Sequence, residues 1–122
     1  MDLLQKASDW LEEMRVKHAS RFVTYKRDTD AATVSATIGR TVFQIDDGGG
    51  IGTQYESRDF LILAAELVIR GKLVLPQRGD RILEMQGEQT IEYEVLAPGK
   101  EPCWRYSDPF RKTFRIHTKQ VS

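Results

Sequence analysis

The sequence is short of the features that mark secreted, membrane and nucleic-acid-binding proteins. It has one cysteine, Cys103, so no disulfide can form within the chain, which favours a reducing, intracellular setting. Its longest apolar run, FLILAAELVI, is interrupted by Glu66 and falls short of the roughly 18 residues that a membrane span requires. Lys and Arg number 18, as do Asp and Glu. The chain therefore has no net charge and lacks the basic excess on which a dedicated nucleic-acid binder depends.

The sequence also has little that is typical of an enzyme or a metalloprotein. Its two histidines, His18 and His117, belong to no metal-ligand pattern. We therefore expect no catalytic residue, metal, cofactor or small-molecule substrate. Cys103 and His117 as a nucleophile and its base are the least favoured hypothesis. Cys103 follows Pro102 in a turn-rich stretch and is more simply explained as a small buried residue beside Trp104.

The chain begins with the pattern of an amphipathic helix over residues 1–19. Apolar side chains recur there at intervals of three and four residues and form one stripe: Leu3, Leu4, Ala7, Trp10, Leu11 and Met14. Asp2 supplies a capping carboxylate for the first turn. The stripe is most simply explained as packing against the rest of one domain, residues 1–122, and its alternative role is to dock on another subunit.

From Arg21 onward the apolar residues alternate with period two, as they do in half-buried strands. Runs of this kind are RFVTYKR, ATVSATIG, TVFQI, RDFLIL, DRILEM, TIEYEVL and TFRIHT. The segment AAEL predicts a single helical turn. These patterns predict a mainly β fold, a small antiparallel β-barrel or sandwich formed by residues 21–45 and 58–119.

The segment DDGGGIG, residues 46–52, interrupts the alternation. Consecutive glycines carry a large ordering cost, so we predict a long flexible loop over residues 46–57, which either orders against a neighbouring molecule or is a plain solvated loop. No Walker-type lysine follows, and two adjacent carboxylates supply too few ligands for a cation. The candidate loop residues are Asp46, Asp47, Gly48, Gly49, Gly50, Ile51, Gly52 and Tyr55.

The segment PQRGDRI, residues 76–82, contains the RGD letters of cell-adhesion ligands. Pro76 donates no ladder hydrogen bond and Gly79 permits a positive φ, so the segment has the chemistry of a turn. An extracellular partner has no other support in the sequence. We therefore predict that these residues form the corner before a hairpin.

The last third of the chain interleaves basic and aromatic residues. One interpretation is a single-stranded nucleic-acid binding module of the OB type, in which Trp104, Tyr106 and Phe114 would stack on bases. Their even spacing instead favours positions that face the core. The basic residues would then meet an acidic neighbour, and the candidate docking surface consists of Arg105, Arg111, Lys112 and Arg115.

The succession RDFLI, AAELV, LPQRGDRI, YEVL and PCWRYSDPFRKTFRIHTK, within residues 58–119, resembles the head–tail joining proteins of tailed bacteriophages and prophages. These are connector, stopper or head-completion proteins. The resemblance implies a non-enzymatic β-barrel protein, several copies of which form a ring between the portal and the tail. The ring would close the DNA channel and dock the tail.

The resemblance also implies partners and a location. The partners are other copies of the chain, the portal or its adaptor, the tail protein, and DNA in non-specific contact, with no membrane. The loop of residues 46–57 would line the channel or reach a neighbouring subunit. Assembly would take place in the host cytoplasm, and the protein would end in the virion.

Overall fold

The structure, a computed structural model, describes residues 20–46 and 52–122. The strands in these ranges are β1 (Arg21–Arg27), β2 (Asp30–Asp46), β3 (Gly52–Leu63), β4 (Val68–Ile69), β5 (Lys72–Leu73), β6 (Arg81–Gln86), β7 (Gln89–Val95), β8 (Trp104–Tyr106) and β9 (Thr113–Gln120). A 3₁₀ turn, Ala64–Glu66, lies between β3 and β4. The predicted helical turn is thereby confirmed, whereas the predicted helix of residues 1–19 lies outside the described residues.

Six strands close into an antiparallel barrel. Their order is β3, β2, β1, β6, β7 and β9, and β9 pairs back with β3 through residues 58–63 and 113–118. The short strand β8 pairs with β9, and β4 with β5 forms a separate small hairpin. The predicted mainly β fold is confirmed, and of the two architectures considered the barrel is the correct one.

Alternation of side chains fills the barrel. On β1, Val23 and Tyr25 face inward, while Phe22 and Thr24 lie on the outer face. The same parity on the other strands gives a continuous apolar interior, whose buried members include Val34, Ala36, Phe60, Ile62, Ile82, Tyr93, Val95, Phe114 and Ile116. An interior packed with side chains in this way is a core and leaves no pore.

A buried glutamate closes one end of the core. Glu84 shares the inner face of β6 with Ile82 and is fully buried. Arg21 reaches its carboxylate at 2.7 Å, and Arg58 reaches it at 2.9 Å. The Arg58 guanidinium also lies 5.3 Å from the centre of the Tyr93 ring, so the ion pair rests directly on the apolar core.

A buried aspartate closes the other end. Asp80 precedes β6 and accepts hydrogen bonds from the Tyr25 hydroxyl, from Arg27 Nη2 at 2.8 Å and from the Gln77 N–H at 3.1 Å. Burial and the neighbouring carboxylate raise the pKa of Tyr25, which keeps the hydroxyl protonated as the donor. Each end of the filled barrel thus carries a buried carboxyl group beside an arginine.

The RGD segment is a corner, as predicted. Gly79 has a φ of 91°, in the region that favours glycine. Arg78 donates to the Ala97 carbonyl at 2.9 Å and to the Glu101 carbonyl at 2.6 Å. With Asp80 buried among Tyr25 and Arg27, the side chains of this segment bind the protein's own fold.

The predicted loop of residues 46–57 is wrong over most of its length. β2 continues to Asp46 and β3 begins at Gly52, so residues 52–57 lie in a strand. The reason is cross-strand pairing: Thr53, Tyr55 and Ser57 stand opposite Ile45, Phe43 and Thr41. The facing strand supplies hydrogen bonds that outweigh the low strand propensity of glycine. Residues 47–51 lie outside the described residues.

We predict that Glu84→Gln lowers the free energy of unfolding by about 3 kcal/mol, because it leaves two arginines at a buried site without their anion. The matched control is Glu94→Gln, which removes a half-exposed carboxylate that pairs with Arg81 at 3.1 Å. Glu94→Gln should lower the free energy of unfolding by less than about 1 kcal/mol. Urea unfolding of both variants measures the difference, and equal losses would contradict this role of Glu84.

Candidate functional site

The two longest strands extend past the barrel as a two-stranded ribbon. β2 pairs with β1 only as far as Ala36, and β3 pairs with β9 only from Arg58 onward. Residues 41–46 and 52–57 therefore pair only with each other, and we call them the ribbon. Neither outer edge of the ribbon has a strand partner in the described chain. Unpaired edges of this kind are templates for pairing with another chain.

The two faces of the ribbon differ in chemistry. One face carries the cross-strand pair of Phe43 and Tyr55, whose ring centres are 6.1 Å apart, and Phe43 meets the His117 ring edge-on at 5.0 Å. The opposite face carries Val42, which is 47% exposed, and Glu56. One face thus packs against the body of the protein while the other faces outward.

A buried polar cluster fixes the base of the ribbon. The Asp59 carboxylate is fully buried and accepts hydrogen bonds from the Thr41 hydroxyl and from Ser57 Oγ at 2.5 Å. Arg115 Nη1 donates to it at 2.8 Å, and His117 Nδ1 lies 2.9 Å from it. We call these five residues the Asp59 cluster. It connects β2, β3 and β9 at the point where the ribbon leaves the barrel.

The electrostatics of the cluster keep Asp59 ionised. Burial by itself raises the pKa of the carboxyl group. The hydrogen bonds from His117, Ser57, Thr41 and Arg115 outweigh burial and lower the pKa from 3.8 to about 2. The charge is therefore stabilised in place and holds its donors together at neutral pH.

Gly39 makes room for the cluster's arginine. A Cβ atom at this position would lie 3.2 Å from Arg115 Nη1 and 3.2 Å from Leu61 Cδ1. The Arg115 guanidinium crosses β2 at this point and also reaches the Arg40 carbonyl at 3.4 Å. A side chain at position 39 would therefore crowd Arg115 where its guanidinium approaches Asp59.

The cluster contains a serine, a histidine and an aspartate, but not in the geometry of a hydrolase. Ser57 Oγ donates to Asp59 and lies 3.4 Å from His117 Nδ1, the same ring nitrogen that contacts Asp59. In a catalytic triad the serine and the aspartate contact opposite nitrogens of the ring. Ser57 and His117 are also buried. The arrangement holds strands together and does not activate a nucleophile.

Cys103 and His117 do not form a nucleophile–base pair. The hydrogen bond between these two residues is a backbone one, in which the His117 N–H donates to the Cys103 carbonyl at 2.8 Å. The Cys103 side chain belongs to the buried core, and burial raises the pKa of its thiol. A thiol in that state is a poor nucleophile.

The predicted loop residues fall into two groups. Asp46 ends β2, Gly52 begins β3 and Tyr55 lies in the ribbon opposite Phe43, whereas Asp47, Gly48, Gly49, Gly50 and Ile51 lie outside the described residues. The Tyr55 hydroxyl is buried and finds no hydrogen-bond partner among the residues that the structure describes. A buried hydroxyl without a hydrogen-bond partner is unusual in a folded protein.

The predicted docking residues are also divided. Arg115 binds Asp59 as described above. Arg105 is exposed on β8, directly opposite Arg115 in the strand register. Arg111 has a φ of 57° in the turn between β8 and β9 and lies over the Tyr106 ring at 5.9 Å, with Lys112 next to it. The structure therefore brings Arg111 and Lys112 together and assigns Arg115 to the Asp59 cluster.

The aromatic residues of the last third pack on one another. Trp104 lies 5.1 Å from Tyr106 and 5.0 Å from Phe114, measured between ring centres. Phe114 is buried, and Trp104 and Tyr106 pack against the core. The core interpretation of these residues is confirmed, and no open stacking platform of the kind that an OB-type module needs remains at this position.

Sequence reasoning missed the three buried carboxylates, Asp59, Asp80 and Glu84. Strand parity carried a signal for Glu84, because it shares its parity with the inward-facing Ile82. Asp59 stands alone among apolar residues in RDFLIL, which is a second signal. Neither pattern indicates which arginine or histidine pairs with the buried carboxylate.

No helix in residues 20–46 and 52–122 is long and apolar enough to cross a membrane. Within the same ranges, no group of three His, Cys, Asp or Glu side chains is placed to hold a metal ion.

Comparison with known proteins identifies a family. The family model described as phage head-tail joining protein matches residues 1–122. A search of curated proteins gives no match. The family match includes the barrel, the ribbon and the Asp59 cluster, and thus reaches beyond the segment, residues 58–119, that carried the resemblance.

We predict that Asp59 stabilises the fold at neutral pH and loses this effect in acid. Because its pKa is lowered from 3.8 to about 2, its contribution is complete above the unfolded value and disappears as the pH falls towards the folded value. The stability difference between the wild-type chain and Asp59→Asn should therefore narrow by about 2 kcal/mol from about pH 6 to about pH 2.

The control for this measurement is Asp28→Asn, at an exposed position with a φ of 54° that asparagine tolerates. Urea unfolding at both pH values measures the free energy of unfolding of the wild-type chain, of Asp59→Asn and of Asp28→Asn. The same stability gap between wild type and Asp59→Asn at both pH values would contradict the assignment.

Proposed function

The chain belongs to the phage head-tail joining protein family, and from this premise we propose that several copies form a ring between the portal and the tail. Family membership makes the protein a structural connector. In the proposed ring, one side docks the portal or its adaptor and the other docks the tail. The ring closes the channel through which packaged DNA would otherwise leave.

The ribbon is the observation that carries the proposal. Its two outer edges present backbone N–H and C=O groups that lack strand partners within the described chain. A two-stranded hairpin is marginally stable by itself, and pairing or packing against another chain removes that weakness. The ribbon is therefore suited to contact a neighbouring copy.

Because the barrel is filled, the proposed channel would lie between the copies of the ring and not inside one subunit. Apolar side chains occupy its interior, and Glu84 and Asp80 close its ends with their arginines. DNA has no path through a single subunit. A contact between the ribbon of one copy and a different surface of the next is heterologous, and such contacts generate a ring when the rotation closes.

The candidate loop and docking residues have roles in this proposal. Asp46, Gly52 and Tyr55, with residues 47–51 between them, would contact the neighbouring subunit or line the channel, where contact with DNA would be non-specific. Arg105, Arg111 and Lys112 would form the docking surface for an acidic neighbour. The subunits would assemble in the host cytoplasm and end in the virion.

The alternative functions have less support. An OB-type module needs exposed aromatic rings, and Trp104, Tyr106 and Phe114 pack against one another instead. An enzyme needs a nucleophile or base that meets its substrate, and Cys103 and His117 are both buried. We therefore propose a non-enzymatic role without a cofactor.

We predict that the purified chain, alone at high concentration or on DNA-filled heads that lack it, forms closed rings of uniform mass. Val42→Lys, on the outward face of the ribbon, should weaken assembly about tenfold or more, because it places a charge in the contact. Light scattering and electron microscopy of the heads are the measurements.

Met85→Lys is the matched control, since Met85 is also exposed and apolar (61%) but lies on β6, away from the ribbon. A chain that stays monomeric under both conditions would contradict the ring. Equal effects of the two lysine substitutions would contradict the part assigned to the ribbon.

A further inference from the structure

An apolar groove lies where the C-terminal end of β3 and the N-terminal end of β9 meet the small β4–β5 hairpin. Its volume is about 580 Å³, and its lining includes Leu73, Leu75, Tyr106 and Phe114. Leu73 is 69% exposed and Leu75 is 54% exposed. Leucines that border an apolar groove and remain exposed are typical of a surface that another polypeptide covers.

The charge at the groove is positive. Arg111 lines it and stacks over Tyr106, and Lys112 lies beside it. The Arg111 guanidinium has no carboxylate partner in the part of the chain that the structure describes, although Asp108 lies in the same turn. The complementary ligand is therefore a segment with apolar side chains on one side and acidic side chains next to them.

The first 14 residues of the chain have this chemistry. Their apolar residues recur at intervals of three and four, as given above, and include Trp10 and Leu11. Four acidic residues, Asp2, Asp9, Glu12 and Glu13, accompany them, against one lysine. A groove of this volume accommodates two or three large side chains, which is what one turn of such a stripe offers.

The proposed ring favours the groove of a neighbouring copy over the chain's own, because a heterologous contact joins two different surfaces of the same chain. β1, which follows the segment, and β9, which borders the groove, are three strands apart in both directions around the barrel. The strand from which the segment extends and the groove therefore belong to different sides of one subunit.

We propose that the apolar stripe of residues 3–14 of one copy occupies the groove beside Leu75 and Arg111 on the next copy. This inference rests on the proposed ring and identifies one of its contacts. Segment and groove are different surfaces of the same chain, as a heterologous ring contact requires.

Disulfide formation between two variants, each with one added cysteine, tests the inference in the full-length chain. One chain carries Leu11→Cys and the other carries Leu75→Cys. Cys103 stays in both, because it is buried and serves as the unreactive reference in the wild-type chain. A mixture of the two chains under mild oxidation should yield a covalent heterodimer, since a disulfide forms when the Cα atoms come within about 7 Å.

Gln5→Cys, on the polar side of the predicted helix, replaces Leu11→Cys in the control mixture, and Met85→Cys replaces Leu75→Cys in a second one. Both controls should give at least about tenfold less heterodimer, because their cysteines would lie beyond bridging distance. Charge reversal with Arg111→Glu should also lower the yield of the Leu11→Cys and Leu75→Cys pair.

The outcomes separate this contact from the ring itself. Rings that form without heterodimer would overturn the contact and leave the ring standing. A chain with both substitutions that closes its disulfide internally, as a monomer, would show that the segment binds its own barrel and would overturn the contact. If neither rings nor heterodimer appear, the ring and the contact both fail.

Discussion

The position of the ribbon depends on one buried carboxylate, that of Asp59. Burying an ionised Asp59 costs several kcal/mol unless cations and hydrogen-bond donors surround it. Here Thr41, Ser57, Arg115 and His117 all point at the same two oxygens. Because these donors come from three strands, satisfying one charge fixes the angle at which the ribbon leaves the barrel. A ribbon without this base would be a hairpin with few contacts of its own.

The same device recurs at both ends of the core. Glu84 and Asp80 are buried beside arginines, so the barrel carries salt bridges where its apolar interior stops. Such sites tolerate few substitutions, because either partner alone is an unpaired buried charge. The described part of the subunit is a filled barrel with a projecting ribbon and an apolar groove. Those are the features that an assembly built from repeated copies uses, and they complement the connector role that the family match establishes.

Strand alternation allowed much of the barrel to be predicted from the sequence. The faces of β1 and the inward positions of β2 follow from period two, and the RGD corner follows from Pro76 and Gly79. The strand over residues 52–57, the second half of the ribbon, was missed because glycine propensity is local, whereas the pairing of Tyr55 with Phe43 is not. Arg115 was predicted to lie on a docking surface, since nothing in its own segment reveals that Asp59, far away in sequence, is its partner. The charged residues could be identified from the sequence, but which residues they pair with depends on how the strands come together in the closed barrel.

The central claim is that the ribbon is a contact between subunits, held in place by the Asp59 cluster. Hydrogen–deuterium exchange of the free and the assembled protein measures this directly, because backbone amides at an open edge exchange quickly until another chain covers them. Assembly should slow the exchange of residues 41–46 and 52–57 by about tenfold or more, while the buried amides of β1 stay unchanged. Ribbon amides that exchange at the same rate in the free and assembled states would contradict the account.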